Sequence, residues 1–234
     1  MNRLLAIHRY PVKSLLGEDL REVFVNRRGC LGDRLWSVRD ADGRFGSGKT
    51  TRRFRRMDGL LDLRAGYDGE VPVVAFPDGR RLRAGTDEAD RAVTDHVGRP
   101  VTVRREEDVS HFDDGPVHLV TTASLRALAR AHGAAVDPRH TRANLVVGWD
   151  GDGFPEHVWP GRRLAIGSEV VLRVRDVMPR CVMLDAAQGD LPSDPGLLRT
   201  VTHVAGGALG VVADVDREGV VRVGDDVRLT PGRP

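Results

Sequence analysis

The chain has 234 residues, 40% hydrophobic and 30% charged, which suits one large or two small globular domains and excludes a disordered or fibrous chain. Lys and Arg number 36 against 34 Asp and Glu, and a net charge of +2 provides no field of the kind that drives nucleic-acid or membrane-surface binding. The first residues lack the apolar core of a signal peptide, no stretch nears the ~18 apolar residues of a membrane span, and two cysteines are too few for a secreted disulfide framework, so a cytoplasmic protein with reduced thiols is expected.

Taken in chain order, the first hundred residues read as short strands: Arg3–Tyr10, Leu20–Asn26, Arg34–Asp40, Gly59–Arg64, Val71–Phe76 and Arg80–Ala84. Asp40-Ala41-Asp42-Gly43 and Pro77-Asp78-Gly79 supply turns between them, a spacing that suggests a barrel or meander. A helix follows over Thr86–Val97, with Thr86 as N-cap and acidic residues in its first turn. Gly98-Arg99-Pro100 ends it and divides the chain into domains 1–99 and 100–234. The second half opens with a strand, Val101–Arg105, and its clearest helix is Ala123–His132, capped by Thr121 or Thr122 and closed by Gly133. Strands are expected over Asn144–Val147, Leu164–Ile166, Glu169–Val174 and Ala208–Val215, then a closing hairpin of Val220–Val223 and Val227–Leu229. The segment from Ala186 to Pro195 reads as loop. The fold class is α+β, mostly β.

Gly43-Arg44-Phe45-Gly46-Ser47-Gly48-Lys49-Thr50 satisfies the phosphate-cradling pattern of nucleotide-binding loops in full. Its context argues against that role. The preceding Leu35–Asp40 alternates like a half-exposed strand, and the following residues are mostly arginine, with no apolar face to pack a helix. An Asp-Gly hairpin with a glycine-rich tip is the better reading. The arginines Arg52, Arg53, Arg55 and Arg56 read as a solvated face, or as a contact for an acidic partner or anionic ligand. The Gly206–Gly210 run lacks dinucleotide-loop spacing and reads as a tight strand connection, and there is no His-Glu-x-x-His and no Gly-x-Ser-x-Gly.

Cys181 follows a strand and sits beside Arg180. A thiolate is a soft ligand favoured by a neighbouring cation, although a free cysteine is as readily a small buried hydrophobe. One cysteine cannot complete a metal site, but it can tether a metal whose other ligands arrive with an organic cofactor. Residues suited to an anion are scattered elsewhere: Lys13-Ser14 at a strand end, Arg34, Thr121, Thr122 and Ser124 at a helix N-terminus, and Arg142 and Asn144, which alternate along one expected strand. With Cys181 they describe a phosphorylated cofactor held by one thiolate. Asp185, Asp190 and Asp194 lie nearby in sequence, suited to acid–base work or simply to turns.

Tyr10-Pro11-Val12-Lys13-Ser14, Gly32-Asp33-Arg34-Leu35-Trp36, Thr122-Ala123-Ser124-Leu125, Arg142-Ala143-Asn144-Leu145, Arg180-Cys181 and Val223-Gly224-Asp225 together resemble the MOSC superfamily. The likeness is to its two-part members with an N-terminal β-barrel, which include the mitochondrial amidoxime-reducing component and bacterial relatives. It implies a MOSC-type β-barrel with flanking helices and a molybdenum cofactor (molybdopterin) whose metal is bound by Cys181. Lys13, Ser14 and Arg34 would hold its phosphate, Thr122, Ser124, Arg142 and Asn144 would add contacts, and Arg180 would flank the metal. The family relation further implies an oxidoreductase that reduces N-hydroxylated small molecules with electrons from a separate redox protein. Asp185 is the expected catalytic acid, in a loop lining substrate access. Where relatives carry a Thr-rich stretch ending in Val-Asp-Pro, this chain has Val182-Met183-Leu184-Asp185-Ala186, and Val211 stands where an aromatic is common. A cofactor or sulfur carrier using Cys181 as a relay is the alternative.

Overall fold

The computed structural model describes residues 2–230, and its framework is one large sheet beside a smaller barrel-like body. The eight-stranded sheet runs in the order Val227–Thr230, Arg163–Ile166, Val170–Pro179, Ala208–Arg217, Val117–Thr121, Leu145–Gly148, Arg3–Arg9, Glu18–Leu20. Along Val170–Arg175, Val170, Leu172 and Val174 are buried while Arg173 and Arg175 are exposed, the alternation of a sheet with one wet face. Strands of three further sheets, centred on Trp36–Asp40, Val71–Ala75 and Glu22–Asn26, complete the mostly-β architecture.

Helix α1 (Asp87–Val97) starts where Thr86 Oγ1 accepts the Ala89 amide and stops at Gly98, whose φ of 68° suits glycine. Helix α2 (Thr122–His132) buries Leu125 and Leu128 against Leu197 and Val201 of α3 (Leu197–Ala205). The cores interleave along the chain. Val12, Leu15, Val38, Val74, Val93 and Val103 share one, whereas Leu4, Ile7, Val23 and Val25 pack with Val117–Val227. The expected division at residues 99 and 100 therefore falls between two elements of the same core, since Val101–Arg105 pairs antiparallel with Trp36–Asp40.

Other expectations are corrected. Gly59–Arg64 is not a strand: Gly59 turns at φ 86°, Leu60–Asp62 forms a 3₁₀ turn, and extended structure begins at Arg64. The closing hairpin is split, Gly219–Arg222 pairing with Glu22–Asn26 and Val227–Thr230 with Arg163–Ile166. Among the elements not anticipated are a strand of the large sheet and a helix. Val117–Thr121 is buried at every residue and so shows no alternation, and α3 has no side-chain cap to announce it. Gly210 is required where it stands, because at φ 78° a Cβ there would lie 2.4 Å from the Leu119 carbonyl oxygen.

Candidate functional site

Where the large sheet meets the barrel-like body, segments from both converge on an open cavity of about 200 Å³. Lys13 and Ser14 leave the short strand Val12–Lys13, Arg34 precedes Trp36–Asp40, Arg142 ends a 3₁₀ turn (Pro138–Thr141), and Arg180-Cys181 follows Val170–Pro179. Among the described residues, the non-glycine positions with positive φ are Ser14 (66°), Arg34 (49°) and Arg142 (53°), and all three line this cavity. A left-handed non-glycine residue costs on the order of 1–3 kcal/mol and persists only where its surroundings enforce it, which is why such residues gather at sites.

The cations of the cavity fall into two groups. Lys13 Nζ is 2.7 Å from Asp113 Oδ1, and Arg34 pairs with the fully buried Asp33. Arg142 and Arg180 have no carboxylate within ion-pair distance among the described residues. Arg142 Nη2 donates to the Leu15 carbonyl (2.6 Å) while its Nη1 has no partner. Arg180 Nη2 donates to the Thr141 carbonyl (2.6 Å), its Nη1 lies 3.4 Å from His118 Nε2, and its Nε has no partner. The Arg34 and Arg142 guanidinium groups lie 4.9 and 4.4 Å from the centroid of the Tyr10 ring.

Protonation follows from burial and these neighbours. Burial pulls both Arg142 and Arg180 down to about 10. It also lowers Lys13 to about 8, against the pull of Asp113. Arg34 is raised, because Asp33 outweighs the effect of burial. Burial, then Arg180, holds His118 well below its ordinary range, so its imidazole is neutral. Asp114 is pushed up by burial and by Asp113, and its carboxyl makes no hydrogen bond or ion pair among the described residues. Cys181 is partly exposed at the cavity wall, and its carbonyl accepts the Leu184 amide (3.0 Å) at the start of a 3₁₀ turn.

The structure thus brings together Lys13, Ser14, Arg34, Arg142, Arg180 and Cys181 from the sequence-expected set. It does not bring Thr122, Ser124, Asn144 or Asp185 to the same cavity. The N-terminus of α2 already holds an anion of the protein's own: the fully buried Glu156 carboxylate accepts from Thr121 Oγ1 (2.7 Å) and Ser124 Oγ (2.6 Å). Thr122 Oγ1 accepts the Trp149 amide at 3.0 Å. Arg142 and Asn144 do not alternate along one strand, because Arg142 closes a turn and the strand begins at Leu145. Asn144 Oδ1 accepts the His118 amide and its Nδ2 donates to the His8 carbonyl, so its side chain ties backbone segments together. Asp185 Oδ1 accepts the Leu198 amide (2.7 Å) at the start of α3 and lines a separate surface pocket.

Sequence reasoning missed Ser47, Lys49, Asp113, Asp114, His118 and Met183 in the cavity wall. Lys49 belongs to the phosphate-loop-like segment, which forms a turn closed by Gly43 N to Asp40 O (2.9 Å) and then runs into strands with no helix behind them. Two of the four arginines are ion-paired, Arg55 with Asp40 and Asp42 (both 3.0 Å) and Arg56 with Asp58 (2.9 Å). Among the described residues no group of three His, Cys, Asp or Glu could hold a metal, and no helix is long and apolar enough to cross a membrane. One thiol beside unpartnered guanidinium donors therefore suits an anionic ligand that supplies most of a metal's coordination itself.

Comparison with one solved structure agrees on the fold. The YuaD protein from Bacillus subtilis superposes with a TM-score of 0.53 at 14% identity, covering 100% of this chain and 98% of that one. YiiM from Geobacillus stearothermophilus matches 49% of this chain and 54% of its own at 16% identity and a TM-score of 0.39. No curated protein matches the sequence. Residues 1–112 match the MOSC N-terminal beta barrel domain and residues 98–228 the MOSC domain, so the chain belongs to the MOSC family, in its two-part arrangement.

Proposed function

We propose that the protein binds a molybdenum cofactor through Cys181 and reduces N-hydroxylated or related oxygen-bearing small molecules, in the manner of the amidoxime-reducing members of its family. The reading rests above all on the buried Arg142 and the partly buried Arg180, each with a buried, unpartnered guanidinium donor in the cavity that Cys181 lines. A buried cation without a counter-charge is expensive in a resting fold, and an anionic ligand removes that cost. Lys13, Ser14, Arg34 and Arg142 would hold the phosphate of the cofactor, Cys181 its metal, and Arg180 would neutralise charge beside the thiolate. When bound, the cofactor supplies a metal centre that accepts an oxygen atom and exchanges two electrons.

The net reaction consumes two electrons, from a separate redox protein or a chemical reductant, and two protons, releasing the amine and water. His118, kept neutral, does not repel an incoming proton donor. Asp114 takes the acid role expected of Asp185: it lines the cavity, its carboxyl is unpaired, and its affinity for a proton is raised.

The test is the molybdenum and pterin content of protein made in a cofactor-producing host, with Cys181→Ser and Arg142→Met in parallel. Near-stoichiometric metal that vanishes in Cys181→Ser, and pterin that falls in Arg142→Met, support the assignment. Metal-free, folded wild-type protein from such a host refutes it and favours the sulfur-carrier alternative, for which a persulfide on Cys181 is the signature.

A further inference from the structure

Beside the Cys181 cavity lies a second, larger groove of about 550 Å³. One wall is Ser47–Thr50 with Arg56–Asp62, and the other is Val182, Met183, Ala186 and Ala187. Ser14, Ser47, Lys49 and Met183 line both spaces. The sill between them is one contact: the Gly48 amide lies 3.2 Å from Met183 Sδ, and a Cβ on Gly48 would fall 2.4 Å from the same sulfur.

The groove is largely apolar, through Met57, Leu61, Met183 and the 50% exposed Val182. Arg56 is paired with Asp58 (2.9 Å), and Asp62 lies 3.6 Å from His96 Nε2. Lys49 has no ion pair and no hydrogen bond among the described residues, and its ammonium rests 5.1 Å from the centre of the Phe54 ring. The hydroxyls of Ser14 and Ser47 beside it are likewise without partners among the described residues. A single unpaired cation at the inner end of an apolar groove is the complement of an organic anion with an apolar body.

We propose that this groove admits the substrate, that the substrate is an aryl or alkyl compound bearing a carboxylate or similar anionic group, and that Lys49 recognises that group. The Gly48–Met183 contact sets the size that can pass. Lys49 thereby has a use that the phosphate-loop-like pattern around it does not describe. The inference rests on the Cys181 cavity being the reaction centre.

The test uses the metal-free full-length chain, in which the Cys181 thiol reports access; Cys30 is 1% exposed and silent. Alkylation rates of Cys181 are compared for N-phenylmaleimide and N-(4-carboxyphenyl)maleimide, which share a body and differ by one carboxylate. In the wild type the charged reagent should react about tenfold faster, the equivalent of one ion pair. Lys49→Met should lower the ratio several-fold, the remainder being due to Arg142 and Arg180, and Lys49→Arg should keep it, which separates loss of charge from loss of fold. Met183→Ala should speed both aryl reagents relative to iodoacetamide. A ratio unchanged in Lys49→Met overturns the proposal, as does loss of pterin from Lys49→Met protein made in a cofactor-producing host, since Lys49 would then serve the cofactor. Absence of metal from the wild type refutes the functional reading instead and leaves the maleimide ratio readable.

Discussion

Two arginines of one cavity should answer the same substitution with opposite sign. Burial lowers Arg142 from its ordinary arginine value to about 10, and at about 1.4 kcal/mol per tenfold change in proton affinity this is roughly 3 kcal/mol against the charged form in the fold. The unfolded chain holds that proton with ordinary affinity. At neutral pH both states are charged and the folded state bears the whole penalty, which is relieved only as pH rises through about 10 towards the ordinary arginine value. Arg142→Met removes the charge. It also removes the 2.6 Å bond to the Leu15 carbonyl and the contact over Tyr10, each worth about 1 kcal/mol. The metal-free variant should therefore gain about 1 kcal/mol, or about 2–4 °C in melting temperature for a chain of this size. Arg34 differs because Asp33, fully buried, depends on it. Arg34→Met strands that carboxylate and should cost about 3–5 kcal/mol. The assay is urea and thermal unfolding of metal-free protein at pH 7, with and without inorganic pyrophosphate. Pyrophosphate should raise the wild-type melting temperature and leave Arg142→Met nearly unmoved. If both variants lose stability alike and pyrophosphate shifts neither from the wild type, the claim of an uncompensated anion site fails.

Lys13, lowered by burial to about 8 and facing Asp113, Arg34 and Arg53, loses its charge as pH rises through that value, so calorimetric titration should show pyrophosphate affinity falling several-fold from pH 7 to 9, and Lys13→Met should be flat there. Its folded-state value lies below the unfolded 10.5, so the same deprotonation should increase metal-free stability between about 8 and 10.5; a decrease contradicts the assignment. Glu156→Gln weakens the bonds from Thr121 and Ser124 and should cost about 1.5–3 kcal/mol in urea unfolding; a neutral result would mean α2 does not need its internal anion. Asp185→Ala removes the acceptor for the Leu198 amide and should cost about 1 kcal/mol. Because that carboxylate lines a different pocket, the alkylation rate of Cys181 should change less than twofold in Asp185→Ala, and a larger change would return Asp185 to the reaction site.

The fold was legible where local chemistry and tertiary packing agree. Thr86 and Gly98 bracket α1 because the N-cap and the left-handed C-cap are local devices, and the strands around Trp36–Asp40 and Val71–Ala75 follow from turn residues. It was illegible where burial is two-sided or pairing is distant. Val117–Thr121 is covered on both faces and carries His118 and Thr121 among its valines, so it has no period to read. Gly219–Arg222 leaves its neighbour to pair with a strand almost two hundred residues earlier, and nothing local encodes that choice. At the site, Lys13, Ser14, Arg34, Arg142, Arg180 and Cys181 could be named from short motifs. Thr122 and Ser124 were misplaced because a helix N-terminus looks the same in sequence whether it awaits a ligand or is filled by a carboxylate such as Glu156, thirty-two residues after Ser124.

The distribution of those residues says what a ligand would do to the molecule. Lys13, Ser14 and Arg34 come from a short strand and turns of the barrel-like body, whereas Arg142, Arg180 and Cys181 flank the ends of interior strands of the large sheet. Among the described residues, Arg34 Nη2 donates to the Arg142 carbonyl (3.1 Å), and Arg142 Nη2 donates to the carbonyl of Leu15, next to Ser14 (2.6 Å). These are contacts between backbone and side chain, made by groups of like charge. A phosphate reaching both guanidinium groups would exchange that repulsion for attraction and clamp the two bodies together. Anion binding should therefore protect Ser14, Arg34 and Arg142 amides from hydrogen exchange more than those of α1, which touches no part of the cavity. The backbone geometry is already set by three left-handed residues in advance of any ligand, so the protein has placed its conformational cost in the resting state, where binding need not meet it again.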